Sequence, residues 1–294
     1  MTTRRRWWLV GLLSVSGLLS VTLWSPGPAE RDTTEFGASV YAGSQTWAAA
    51  ARRSDERYGG LEAVRVFHPG LPPDWDTVSN AVDGSLVVSF KADPAEILSG
   101  AADVALKRWF AAAPRDRDVW WVYFHEPEDD VERGDFTAEQ WQAAYRRVAA
   151  IADDTRNPRL HNTIVLMCWT LEHRSGRSFE DYFPGPDVVE AIGWDCYSKP
   201  SDARPYADPE DLYGRAIATS RDLGLDWGIA ETASLLAPED TTGALRADWL
   251  REIGQYLSEE GASFVLYFDS PIGGEFRLLD EPSQQAWREV IARY

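Results

Sequence analysis

The chain is poor in the residues that do metal and redox chemistry. Among 294 residues there are two cysteines, four histidines (68, 125, 161 and 173) and two methionines. No HxH or HExxH spacing occurs, so the sequence offers no zinc-hydrolase signature. No GxSxG appears, which leaves a serine nucleophile unsupported. The first β-rich run is followed by GSQTW, which matches neither GxGxxG nor GxxxxGK[ST], so a nucleotide cofactor has no phosphate loop to bind. Positive charge is scarce as well: 29 Lys and Arg stand against 47 Asp and Glu, a formal net charge of −18. That balance disfavours nucleic acid and anionic lipid surfaces as partners, since both need a basic footprint. No cofactor and no metal are expected.

What is present is globular, with 44% hydrophobic and 26% charged residues, enough for one large domain. Fourteen tryptophans stand out. Most belong to a core, while some of their faces could line a groove. Residues 1–6, MTTRRR, precede an uncharged apolar run at 7–24. A basic stretch followed by such a run reads as an export signal or a signal-anchor, with the domain outside the membrane. Its length suits either a cleaved signal or a spanning helix. Arg4-Arg5 before Trp7-Trp8 loosely matches a twin-arginine pattern. Residues 1–30 are thus set aside as a signal or anchor, and 31–294 as one folded domain, expected to be a monomer.

That domain alternates. Eight β-rich runs, at 36–43, 61–70, 85–93, 119–127, 162–170, 189–198, 227–234 and 263–270, are separated by amphipathic helical stretches. Pro94 and Pro209 sit at the first helical position of two of these. Thr137, with Glu139 near it, opens another, and Gly261 closes a helix over 241–261. Only LPPDWDTVSNAVDG, between the second and third runs, is too Pro-rich for a long helix. The pattern argues for an α/β fold, a (β/α)8 TIM barrel in a single domain, over an open doubly wound sheet. Cys168 and Cys196 fall on neighbouring strands of such a barrel, where they are either two buried thiols or one disulfide.

Function in a barrel collects at the C-terminal ends of the strands. In order these ends carry Tyr41, Arg65 with His68, Lys91, His125-Glu126, Trp169 with Glu172, Asp195 with Tyr197, Glu231, and Tyr267 with Asp269. Glu126 and Glu231 both follow continuous apolar sequence, where an unpaired carboxylate is costly to desolvate. Two facing carboxylates are the machinery of glycoside hydrolysis: one, protonated, serves the leaving oxygen, and the other attacks the anomeric carbon. A separation of about 5–5.5 Å marks the retaining route. A protonated Glu126 is expected to have its pKa raised by Trp121, Tyr123 and the charge of Glu231, and an ionised Glu231 to need hydrogen-bond donors beside it. His125 binds substrate or orients a glutamate, Trp169 is the candidate stacking face, and Asp195 binds a hydroxyl or caps a loop. His68 and Tyr267 complete the candidate binding set. The acids at 128–130 read as a solvated loop, and Glu172 as solvent-exposed.

The layout resembles the clan of retaining glycosidases with the acid/base at the end of strand four and the nucleophile at the end of strand seven. His125-Glu126-Pro127, with His before the glutamate, is similar to glycoside hydrolase family 26, the β-mannanase family. The resemblance implies that Tyr197 hydrogen-bonds the nucleophile and that Arg65 lies near it. Departures are the acidic EDDVERGD after Glu126, Thr232 after the nucleophile, and Tyr267-Phe268 where a tryptophan is common. The expectation is a retaining endo-β-glycanase acting on β-linked oligo- or polysaccharide, outside the cell or tethered through residues 7–24. Two other readings are a non-catalytic glycan-binding barrel and a metal-dependent hydrolase using His125 with the acids at 126–130.

Overall fold

Every one of the eight β-rich runs forms a strand. In the computed structural model, which describes residues 33–75, 81–199 and 204–294, these are β1 (Glu35–Ser39), β2 (Ala63–His68), β3 (Ser85–Phe90), β4 (Val119–Tyr123), β5 (Leu160–Met167), β6 (Ala191–Ser198), β7 (Asp226–Ser234) and β8 (Phe264–Tyr267). They pair in parallel in chain order, and β8 returns to β1, so the sheet closes into a barrel. Residues 7–24, on which the export and anchoring expectations rest, lie outside the described residues. Among the described residues no helix is long and apolar enough to cross a membrane.

The helices are α1 (Trp47–Tyr58), α2 (Pro94–Ser99), α3 (Asp103–Ala111), α4 (Glu128–Arg133), α5 (Ala138–Asp153), α6 (Pro209–Leu223), α7 (Ala244–Glu259) and α8 (Glu281–Arg293). Their ends follow local chemistry. Thr46 caps α1 through the amide of Ala49, and Gly59 ends that helix in the left-handed region at φ 82°. The capping box of α5 closes between Thr137 and Gln140, three residues on, rather than with Glu139. The stretch 94–113 reads as one helix in sequence but divides in two, because Gly100 takes φ 81° and terminates α2. Between β5 and β6 the described chain forms no α-helix, only 3₁₀ turns at Cys168–Leu171, His173–Ser175 and Phe179–Tyr182.

Strand alternation sorts the side chains into two cores. Ala63, Val87, Trp120, Val122, Val165, Ala191, Ala230, Phe264 and Leu266 fill the barrel interior. Their neighbours in sequence point outward to the helices, where Trp121, Trp194 and Trp287 are fully buried. Of the tryptophans among the described residues, Trp169 is the exposed one, so nearly all of this residue type is core. Above the apolar interior, towards the C-terminal ends of the strands, the inward positions turn polar: Ser39, Arg65, Ser89, Asp195 and Glu231, all buried. That change of chemistry at one end of the barrel is the floor of the candidate site.

Candidate active site

β4 stops at Tyr123 because the next turn leaves the strand conformation. Phe124 and Glu126 both have positive φ, 50° and 48°. Non-glycine residues in that region cost about 1–3 kcal/mol each and persist only where surroundings fix them. Here the Phe124 amide donates to Phe90 O (2.8 Å), the Glu126 amide to Val165 O (2.9 Å), and Trp141 Nε1 to Phe124 O (3.2 Å). The strained turn delivers Glu126 to the barrel mouth, and Pro127 then starts α4.

Glu231 arrives by a different device. Trp194 of β6 pairs with Ile229, yet Asp195 pairs with Glu231, so Ala230 is an extra residue in β7. Such a bulge re-aims the side chains that follow it. Ala230 faces the interior; simple alternation would turn Glu231 outward into the helices, and the bulge returns it to the mouth. There Tyr197 OH donates to Glu231 Oε2 at 2.5 Å, and Arg65 Nη2 lies 3.5 Å from Oε1. Arg65 is itself pinned by donation from Nη1 to Ser89 Oγ (2.5 Å).

The two carboxylates therefore have different surroundings. Glu126 has no such donors among the described residues; burial, then the charge of Glu231, pushes its pKa up to about 8, against the pull of Lys91 and Arg65. Glu231 is raised by burial but held down by Arg65 and by the Tyr197 hydrogen bond. Asp195, buried and facing Glu231, is pushed well above the carboxylate range by burial and then by Glu231. Its two oxygens meet no well-placed donor among the described residues, and its contact with Glu231 helps to hold that carboxylate down. His125 is kept neutral, lowered well below its ordinary value chiefly by burial. Its ring lies 5.3 Å from that of Phe67, and Nδ1 has no partner among the described residues.

A cavity of about 580 Å3 opens over β5, β6 and α6, lined by Glu126, Asp195, Tyr197, Met167 and Trp169 among others. Trp169 sits in the 3₁₀ turn after β5 with the Arg174 guanidinium 5.0 Å over its ring. A Cys168–Cys196 disulfide ties that turn to β6, settling the alternative in favour of the bridge. Of the candidate residues, Glu126, Glu231, His125, Arg65, Asp195, Tyr197 and Trp169 are thus brought to one mouth.

Others are not. Tyr267 shares its strand face with Val265, packs on Trp287 of α8 (5.7 Å), and donates its hydroxyl to Phe276 O (2.7 Å). The inward position is Phe268, whose ring meets Tyr197 (5.7 Å) and Phe67 (6.3 Å). His68 departs by the same alternation: Arg65 and Phe67 face inward, so His68 turns to the outer side of β2. Trp121 and Tyr123 are also outward, bonded to Asn162 and Ala92 O, so the apolar pressure on Glu126 does not come from them.

The acids at 128–130 do not form a solvated loop. They open α4, where negative charge suits the helix N-terminus. Glu128 is fully buried, accepting from Met167 N (2.9 Å) and Thr170 Oγ1 (2.8 Å). Asp129 pairs with Arg177, and Asp130 with Lys91 and Arg133. Among the described residues no group of three His, Cys, Asp or Glu is arranged to hold a metal ion. Glu172 is half-buried in a pair with Arg215 (2.5 Å) rather than free in solvent. Glu128 and Phe268 are the site residues that sequence reasoning undervalued; strand parity singles out Phe268, whereas nothing local marks Glu128 as buried.

No family model and no curated protein sequence matches the chain. Solved structures do. An endo-β-1,4-mannanase from Cellulomonas fimi, of glycoside hydrolase family 26, is 12% identical with TM-score 0.58, over 89% of this chain and 71% of that one. A glycoside hydrolase family 128 endo-β-1,3-glucanase from Amycolatopsis mediterranei, solved with laminaripentaose, is 16% identical with TM-score 0.54, over 87% and 99%. A glucosidase from Croceicoccus marinus is 13% identical with TM-score 0.62, over 88% and 67%. The (β/α)8 fold is what this chain shares with them.

Proposed function

We propose that the protein is a retaining glycoside hydrolase acting within β-linked polysaccharide, with Glu126 as acid/base and Glu231 as nucleophile. The observation that carries this reading is the asymmetry of the pair. Two carboxylates share one mouth, and one is held by a tyrosine and an arginine while the other is pushed up to about 8. Neutral Glu126 carries the proton that a departing glycosidic oxygen needs, and Glu231, kept anionic, forms the bond to the anomeric carbon. The C–O bond to the leaving sugar breaks as the ester to Glu231 forms. Glu126, now a carboxylate, takes a proton from water; that water's oxygen displaces Glu231 and restores the anomeric configuration. Arg65 and Tyr197 then receive the returning negative charge.

His125, with its free Nδ1, and the buried Asp195 are placed to meet sugar hydroxyls, and Trp169 to stack on a ring once Arg174 moves aside. Support for an endo-acting glycanase comes from the open cleft and from the fold shared with a mannanase and a glucanase. The mannan, glucan or other identity of the substrate belongs to the same proposal. So does the placement of the domain outside the cell, as a monomer released by cleavage or tethered through residues 7–24.

The test is azide rescue on an activated aryl β-glycoside. Glu231→Ala should lose turnover and, with azide, yield the α-glycosyl azide. Glu126→Ala should lose roughly 10²–10⁴-fold and yield the β-azide. Undiminished hydrolysis in either variant sinks the assignment.

A further inference from the structure

A second cavity, of about 250 Å3, lies at the same rim on the opposite side of the mouth, between β1 and β8. Its chemistry differs from that of the larger cleft. Arg53, Arg57 and Arg277 converge on it, and Asp269 is the one acidic residue in its lining. In a chain of net charge −18 this is a local excess of positive charge. Two serines, Ser39 at the end of β1 and Ser54 on α1, also line it; both are buried, 3% and 8% exposed, and neither Oγ has a hydrogen-bond partner among the described residues. Buried polar atoms are normally satisfied, so two unsatisfied hydroxyls in one small pocket point to an absent polar ligand. Tyr41, 44% exposed at its lip, offers an aromatic face.

The arginines are only partly engaged by partners among the described residues. Arg53 meets only Gln45 and Ala49 O among the described residues. Arg277 is paired with Glu275 two residues away through two hydrogen bonds of 2.6 Å, both side chains partly exposed, so a ligand carboxylate would share or displace that pair. Arg57 holds Asp269 at 3.3 Å, and Asp269 is otherwise occupied by the Leu278 amide. A planar fork of donors beside two hydroxyls fits a carboxylate better than a neutral hydroxyl.

The pocket also adjoins the carboxylate pair. Ser39 is the register partner of Arg65, whose guanidinium reaches Glu231. Asp269 follows Phe268, whose ring packs on Tyr197. A ligand seated here is one short step along the rim from a sugar at Glu231.

We propose that this pocket binds the carboxylate of a uronic acid residue, so that the substrate is an acidic β-glycan with a uronate next to the ring being cleaved, on the β1–β8 side. The sugar would stack on Tyr41, with its carboxylate between Arg53 and Arg277 and its hydroxyls towards Ser39 and Ser54, once those two buried side chains rotate to meet it. The turnover arm of this proposal rests on the catalytic reading above; the binding arm does not.

The experiment uses neutral β-glucan, β-mannan and β-xylan oligosaccharides, and the glucan and mannan oligosaccharides oxidised at C6 to uronates. Each is titrated calorimetrically into the whole protein at low ionic strength, and hydrolysis is followed in parallel. At least one oxidised form should bind about tenfold or more tightly than its neutral parent, as a charge-assisted hydrogen bond supplies. That advantage should vanish in the Arg53→Ala/Arg277→Ala double variant, checked for an unchanged melting temperature, and with added salt. Equal or weaker binding of every oxidised form, no binding of any, or an advantage that survives the double variant overturns the inference. Selective uronate binding with no hydrolysis of any oligosaccharide leaves the pocket assignment standing and removes the catalytic reading alone.

Discussion

Tyr197 OH donates to Glu231 Oε2 at 2.5 Å, and the same ring packs edge-on against Phe268. The hydrogen bond reaches across from β6 to β7, and the aromatic contact from β6 to the residue just after β8, so one side chain links the ends of three strands at the mouth. The hydroxyl stabilises the ionised form of Glu231; burial, followed by the charge of Glu231, raises its own pKa far above the phenol range, so it stays a donor. Removing it as Tyr197→Phe keeps the ring contacts and deletes the donor. The pKa of Glu231 should rise, and the acidic limb of the kcat/KM profile should move to higher pH with little change in melting temperature. An unmoved limb would remove Tyr197 from the control of Glu231.

The full pH profile should be a bell. Glu126 must be protonated, and burial beside Glu231 raises its pKa to about 8, so activity should fall as pH climbs through about 8. Glu231 must be ionised, and it too is raised from 4.5, so the acid-side loss should begin above the ordinary carboxylate range. A substrate whose leaving group needs no protonation, such as a dinitrophenyl glycoside, should lose the alkaline limb for the glycosylation step and keep the acidic one. If both substrates give the same alkaline limb, Glu126 is not the proton donor.

The barrel was legible because eight β-branched and aromatic runs recur between amphipathic stretches, and closure follows from that count. Glu126 and Glu231 were legible as carboxylates after apolar runs. The direction of a side chain was harder to read. Tyr267 and Phe268 are adjacent aromatics, and only the register of β8 tells which one faces the mouth. Glu231 stands one residue after the inward Ala230, and the bulge that lets both face inward is a property of pairing with β6, not of the sequence around it. Glu128 looked like one of several surface acids, yet its partners come from Met167 and Thr170, some forty residues away. These are tertiary facts that local pattern does not encode.

The acids at the mouth should also cost stability. The ordinary value for Glu126 is 4.5 and its folded value about 8, so the folded state binds the proton more tightly. Stability from this group is full below the ordinary value and declines as pH rises towards 8. Glu126→Gln removes the titration. Its melting temperature relative to the parent should therefore rise between pH 5 and 8.5, being smallest at the acid end. A constant difference across that range would show that Glu126 does not titrate in it.

Cys168 and Cys196 close a loop 28 residues apart that contains the 3₁₀ turns between β5 and β6. That loop carries Trp169, and its disulfide partner lies between Asp195 and Tyr197 on β6. Cross-linking a loop of this length stabilises by roughly 3–4 kcal/mol, mainly by restricting the unfolded chain. Arg177 supplies a second tie, from the loop to Asp129 and Glu132 of α4. Reduction should therefore lower the melting temperature while leaving the barrel folded, and should raise KM through loss of the Trp169 position. The parallel Cys168→Ser/Cys196→Ser variant should reproduce both effects, with kcat on a small aryl glycoside nearly unchanged because Glu126 and Glu231 are held by other contacts. A variant that loses kcat and KM together would mean that the staple positions the carboxylates themselves.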